Sequence, residues 1–174
     1  VSASASYSGD MSLGSTSALI VTRHGGPDVL EVQERDVPVP GPGEVLVEVA
    51  AAGVNFIDVY QREGVYPTVP PFVIGQEGAG VVSAVGADAD GFAVGDRVAW
   101  PFALGSAAGL VCVPSRSLVP VTAAVDLETA AAVMLQGLTA HYLTRSTYAV
   151  GPGTTALVHA AAGGVGQLLV QMVK

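Results

Sequence analysis

The run Val158-His159-Ala160-Ala161-Ala162-Gly163-Gly164-Val165-Gly166 carries the clearest chemistry in this 174-residue chain. Against the pattern G-x-G-x-x-G it reads A-x-G-x-x-G, with Ala161 in the first glycine position. At such a turn Gly163 lets the backbone approach a pyrophosphate, and Gly166 lets a helix pack close to a strand. A helix that starts there offers an anion unpaired N–H groups and the positive end of its dipole. The pattern gains meaning from its place, between the apolar β-prone run Thr155–His159 and the apolar helical run Val165–Val173. In that setting a nucleotide site is favoured over a tight strand–helix turn with no ligand. The residue that reads the ribose falls roughly 20 positions further on, past Lys174, so NAD and NADP are not told apart here.

The other reactive side chains suggest less. His24 precedes a Gly-Gly-Pro turn and reads as a surface residue, while His141 lies on the face of an alanine-rich helix. His159 ends the β-prone run, where it either packs or touches a cofactor. Cys112 stands between two valines, as an inert buried thiol does rather than a nucleophile. As the sole cysteine it excludes an internal disulfide and a multi-cysteine structural zinc site, and it points to a cytoplasmic setting. No Ser-His-Asp spacing or carboxylate pair stands out.

Seven basic residues against fifteen acidic ones give a net charge of −8, the wrong sign for a nucleic-acid backbone. The mean hydropathy of +0.52 is high. Glycine, proline or charge nevertheless interrupts every apolar stretch before the roughly 18 residues a membrane helix requires. This is the composition of a protein core, so no membrane is expected as a partner.

These groups must be held by two kinds of structure. Residues 1–17, rich in Ser, Ala and Gly, read as a flexible tail with no secretory pattern, Met11 being a candidate start. Ala18–Thr22 reads as a strand, and Gly25 to Asp28 as a turn. Leu30–Asp36 alternates as a half-buried strand does, and Glu44–Ala52 carries Val45, Val47 and Val49 on one face. Asn55–Arg62 forms a helical turn, and Gly78–Val85, Ala93–Trp100 and Leu110–Val113 complete the strands. Their spacing predicts a compact, mainly antiparallel β-barrel over residues 18–125. Asp126–Tyr142 is helical, with Asp126 as N-cap and Glu128 in the first turn. Strand, glycine turn and helix then open a βαβ unit that stops at Lys174, so residues 126–174 read as a linking helix and the start of an incomplete cofactor domain. The apolar run Ala156-Leu157-Val158 suits the centre of a parallel sheet, and nothing follows to flank it, which favours a fragment.

Five segments, in order, carry a family likeness: Gly25-Gly26-Pro27-Asp28-Val29-Leu30, Gly53-Val54-Asn55-Phe56-Ile57-Asp58, Gly95-Asp96-Arg97-Val98, Gln136-Gly137-Leu138-Thr139-Ala140 and His159 to Gly166. From Ala18 to Lys174 the chain resembles the quinone oxidoreductase (zeta-crystallin-like) branch of the medium-chain dehydrogenase/reductase superfamily. The resemblance implies a mainly β GroES-like barrel followed by a truncated Rossmann α/β domain. It also implies NADPH as cofactor, a small quinone or enone substrate, and a homodimer for the intact protein.

Zinc-dependent members of that superfamily hold their metal with a Cys shortly after a Gly-Val pair and with a His-Glu pair. Here Asn55 follows Gly53-Val54, and Gln76-Glu77 replaces His-Glu. Carboxamides are poor zinc ligands, so a metal-free reaction is expected. The resemblance further implies that Tyr60 lies along the nicotinamide, that Asn55 sits in the vacated metal position, and that Thr139, at the start of a helical stretch facing the same cleft, contacts the cofactor. Ala162, Gly163, Gly164 and Val165 would cradle the pyrophosphate. Plainer roles stay open: Tyr60 as barrel core, Asn55 as a turn former, Thr139 as a helix hydroxyl bonded to its own backbone. The implied activity is zinc-independent, NADPH-dependent hydride transfer to quinones or related conjugated carbonyls, with these 174 residues alone inactive. The alternatives are an enoyl reductase of the same superfamily and a non-catalytic GroES-like interaction module.

Overall fold

Alternating valines and short Gly/Pro breaks build two antiparallel sheets, seen in a computed structural model that describes residues 14–174. The first sheet contains β1 (Ser15–Val21), β2 (Leu30–Asp36) and β4 (Phe72–Val73), in the order β2-β1-β4. The second contains β3 (Glu44–Ala52), β5 (Gly78–Val85), β6 (Arg97–Trp100), β7 (Leu110–Pro114) and β8 (Val119–Pro120), in the order β7-β3-β5-β6-β8. Their edges are laced together: Leu19 N–H donates to the Ala107 carbonyl, and Gly109 N–H to that of Ser17, both at 2.9 Å. The result is the expected barrel-like β domain, with α1 (Phe56–Arg62) set between β3 and β4.

The inward side chains of β3, β5, β6 and β7 form the main core, including Val45, Val47, Val82, Val98, Val113 and Trp100. Trp100 is fully enclosed, and its indole N–H finds the polar partner such burial demands, donating to Ser106 Oγ at 2.8 Å. On the opposite face of the same sheet Ala79 and Ala99 meet Ala130 and Ala131 of α2 (Leu127–Tyr142). Asp126 caps α2 by accepting from Thr129 N–H at 2.7 Å, which holds its carboxyl below the usual value. A π-helical turn, Leu143–Thr147, follows α2, and α3 (Gly164–Val173) packs back against it.

Four expectations are corrected. The first strand starts at Ser15, so Ser15–Ser17 belong to β1 and not to a tail; residues 1–13 lie outside those described. β2 has the expected bounds but is not half-buried, and Val32 on it is 75% exposed. β6 covers only Arg97–Trp100, because Ala93 and Asp96 close a turn: Ala93 N–H donates to the Asp96 carboxylate and Asp96 N–H to the Ala93 carbonyl. Thr155–His159 forms no strand. A parallel strand exists only through ladder bonds to neighbours, and the described residues supply none for this segment. No helix among the described residues is long and apolar enough to cross a membrane.

Candidate active site

β3 ends at Ala52, and the chain turns through Gly53 and Val54 into Asn55, the N-cap of α1. The carboxylate of Asp58 reaches back to accept from Asn55 N–H at 2.8 Å. It is one half of a capping box whose other half is the Asn55 side chain, and the Asn55 carboxamide makes longer-range bonds as well. Its Nδ2 donates to Glu77 Oε1 at 2.8 Å, and its Oδ1 accepts from Gln136 Nε2 at 2.8 Å. Glu77, just before β5, is wholly buried, and its Oε2 accepts from the backbone N–H of Leu135 at 2.7 Å. Gly53 makes room for it, since a Cβ there would stand 2.1 Å from Glu77 Oε1. A carboxylate and two carboxamides thus run from β5 through α1 to α2.

The Gln136 amide could be turned over, bringing its nitrogen 3.3 Å from Glu77 Oε1 and 3.1 Å from the Ala132 carbonyl. Its oxygen would then face Asn55 Oδ1, an acceptor against an acceptor. The unturned orientation sets the Gln136 oxygen against Glu77 Oε1 at 3.3 Å and the Ala132 carbonyl at 3.1 Å, but with Nδ2 of Asn55 committed to Glu77 it keeps both 2.8 Å bonds and avoids the shorter acceptor–acceptor contact.

Beside Glu77, Asp58 is 4% exposed, with Oδ1 unpartnered. Burial raises its carboxyl above the usual value, the Asn55 N–H opposes that, and the Glu77 carboxylate adds to it. On the outer side of α1 the ring of Tyr60 lies 6.2 Å from Phe56 and 5.4 Å from Tyr66, centroid to centroid. Tyr60 is 39% exposed, which rules out the barrel-core role and leaves its ring partly open to solvent.

The glycine turn is compact. Gly163 N–H donates to the Ala160 carbonyl at 2.9 Å, and Ala160 itself adopts a φ of +49°. Gly163 is the N-cap of α3 without a side-chain cap, so the first-turn amides face outward unpaired. Gly166 cannot carry a side chain, because its Cβ would meet the Ala160 carbonyl oxygen at 2.2 Å. Ala162 and Gly164 are exposed, Val165 is partly buried, and Ala162 gives its carbonyl to Gln167 Nε2 at 2.8 Å.

Thr139 lies near the C-terminal end of α2, not at the start of a helix as expected. Its hydroxyl donates to the Leu135 carbonyl at 2.7 Å, which is the plainer of its two roles. Gln76, in the His position of the zinc enzymes, donates to Gln61 at 3.0 Å. Among the described residues no three His, Cys, Asp or Glu side chains converge. Cys112 is partly buried, and its thiol is pushed up to about 11, first by burial and then by Glu44. Two residues of the Asn55 network, Glu77 and Gln136, were not expected as site residues.

The sequence matches the alcohol dehydrogenase GroES-like domain over residues 41–152. It is 48% identical to a quinone oxidoreductase of Pseudomonas aeruginosa over 87% of this chain and 47% of that protein. The chain belongs to the quinone oxidoreductase branch of the medium-chain dehydrogenase/reductase superfamily. The crystal structure of Escherichia coli quinone oxidoreductase complexed with NADPH superimposes with a TM-score of 0.87 at 40% identity, covering 90% of this chain and 48% of that one. A 2-haloacrylate reductase of a Burkholderia species is 41% identical over 88% of this chain and 48% of its own length. This member of the branch therefore spans about half the length of the relatives it matches. The GroES-like barrel follows from this membership.

Proposed function

We propose that this chain forms the substrate-facing domain and the opening of the cofactor cradle of a zinc-independent, NADPH-dependent reductase of quinones or related conjugated carbonyls. The observation that carries the reading is the uncapped N-terminus of α3 behind a glycine turn, in a chain that also holds a partly buried carboxamide network and an exposed aromatic cluster. The turn suits a dinucleotide pyrophosphate: outward amides, positive dipole, and no Cβ at Gly163 or Gly164 to block approach. Ala162 to Val165 would hold that group, and Tyr60 and Asn55 would line the nicotinamide end, with Thr139 a further contact. The NADPH complex of the E. coli relative supports the choice of cofactor.

NADPH, when bound, supplies the hydride. A quinone accepts it readily because its reduced ring is aromatic, so the protein's task is orientation in a dry, shaped cleft. Tyr60, Phe56 and Tyr66 offer an exposed cluster of tilted aromatic rings from which water is readily displaced, and Asn55, at the start of the same helix, offers a fixed polar point. The 2-haloacrylate reductase supports extending the substrate class to conjugated carboxylates and enones.

The test is NADPH titration by fluorescence followed by turnover with quinones and with enoyl thioesters. The 174 residues alone should bind NADPH poorly and show no appreciable turnover. A form extended to the length of its relatives should bind NADPH, reduce quinones and pair as a homodimer. In that form Tyr60→Ala should weaken cofactor use by about tenfold, as expected for losing an aromatic contact. Absence of nucleotide binding by the extended form would sink the enzyme reading, and turnover of enoyl thioesters alone would move it to an enoyl reductase.

A further inference from the structure

We infer that Gln136 is a positioning residue: it fixes which way the Asn55 carboxamide points and ties that orientation to the glycine turn. This deepens the proposed function and rests on Asn55 facing the reacting groups. A carboxamide is nearly symmetric in shape, and only its partners distinguish oxygen from nitrogen. Glu77 can only accept from it, and Gln136 Nε2 can only donate to it, each at 2.8 Å. Together they admit one orientation, with Nδ2 toward β5 and Oδ1 toward α2. Oδ1 also caps the first turn of α1, so the point left for a ligand is the second Nδ2 proton.

Both ends of this arrangement come from one stretch of α2. Leu135 donates its backbone N–H to Glu77 Oε2 at 2.7 Å, and the next residue supplies the amide to Asn55. The stem of the same Gln136 lies under the cofactor turn, since a Cβ on Gly164 would stand 3.0 Å from Gln136 Cγ. One side chain therefore touches both the amide at the acceptor end and the helix start at the pyrophosphate end. A displaced Gln136 would turn Asn55 and shift α3 together.

The first test uses this chain and needs no turnover. In Gln136→Glu an acceptor faces Asn55 Oδ1, so Asn55 should turn over and lose Glu77. Its side-chain amide protons, followed by NMR, should exchange about tenfold faster, as expected for one lost hydrogen bond. Unchanged exchange and unchanged Asn55 amide shifts would overturn the inference. The second test uses the form extended to the length of its relatives. Gln136→Leu should lower kcat by about 100-fold, the effect of a displacement near 1 Å. Leucine keeps the Cγ stem under Gly164, so α3 stays in place and the KM for NADPH should stay within about twofold. In an Asn55→Ala background the same change should have no further effect, whereas additive losses would mark Gln136 as merely structural and overturn the role. If the parent neither binds nor uses NADPH, the functional reading fails, and the amide measurement still decides the positioning.

Discussion

Leu30–Asp36 and Thr155–His159 are both short β-prone runs, and each leaves an apolar residue largely in water: Val32 is 75% exposed and Leu157 84%. Only the first is a strand. All seven residues of β2 face a partner on β1, from Leu30 opposite Val21 to Asp36 opposite Ser15. No strand among the described residues pairs with the second run. Burial therefore does not decide between them; a backbone neighbour does, because ladder bonds form between two strands and never within one. The contrast extends to the regions around them. From Ser15 to Pro120 the chain closes on its own strands around Trp100, whereas Gly151–Lys174 has a turn and one helix that rests on α2.

If the two regions are energetically separate, the largest loss comes from the first. Trp100→Ala should cost about 3–5 kcal/mol, read as a fall in the urea midpoint, because a fully enclosed side chain leaves a cavity. A loss under about 1 kcal/mol would show that the core is not centred there. Gly166→Val should abolish the hydrogen-exchange protection of α3 by clashing with the Ala160 carbonyl, while the urea midpoint of the β domain stays within about 0.5 kcal/mol. A matching fall in that midpoint would break the separation.

Asp58→Asn tests the buried carboxyl next to Asn55. Its folded-state value is raised, so the stability its proton confers is present below the unfolded value and is lost as pH rises through the folded one. At neutral pH the ionised group costs stability, and the neutral amide should raise Tm by about 2–4 °C. That gain should disappear below about pH 4, where unfolded Asp is also protonated. A gain independent of pH would assign the effect to packing. Leu157→Ser should be smallest, within about 0.5 kcal/mol, as befits an exposed side chain. A larger change would mean that the segment is covered in solution.

The legible part of the fold is the part with local punctuation. β2, β3 and β5 have the bounds expected from the sequence, each delimited by nearby Gly, Pro or Asp, and α2 starts where Asp126 caps it. Gly163 likewise stands at the helix start its spacing implied. The Asn55 network was only half legible. Asn55 stood out because a carboxamide replaced a thiol, but Glu77 registered only as the second residue of the Gln76-Glu77 pair that replaces His-Glu. Its partners lie 22 and 58 residues away, and Gln136 lies 81 residues from Asn55. Bonds across such separations leave no periodicity to detect. The one available signal was chemical: a carboxylate that opens a run bound for the core must find donors somewhere.

The alanine layer between α2 and the sheet has a consequence for how the site can change. Ala79 and Ala99 meet Ala130 and Ala131 methyl to methyl, so the helix rides on the thinnest side chains that still exclude water. Such a seat has no slack, because interaxial spacing follows the size of the residues at the contact. A valine at any of these four places acts as a shim, lifting α2 away from β5 and with it the amide of Leu135 and the side chain of Gln136. The clearance between carboxylate and carboxamide is thus machined in an apolar layer, by residues that never meet a ligand.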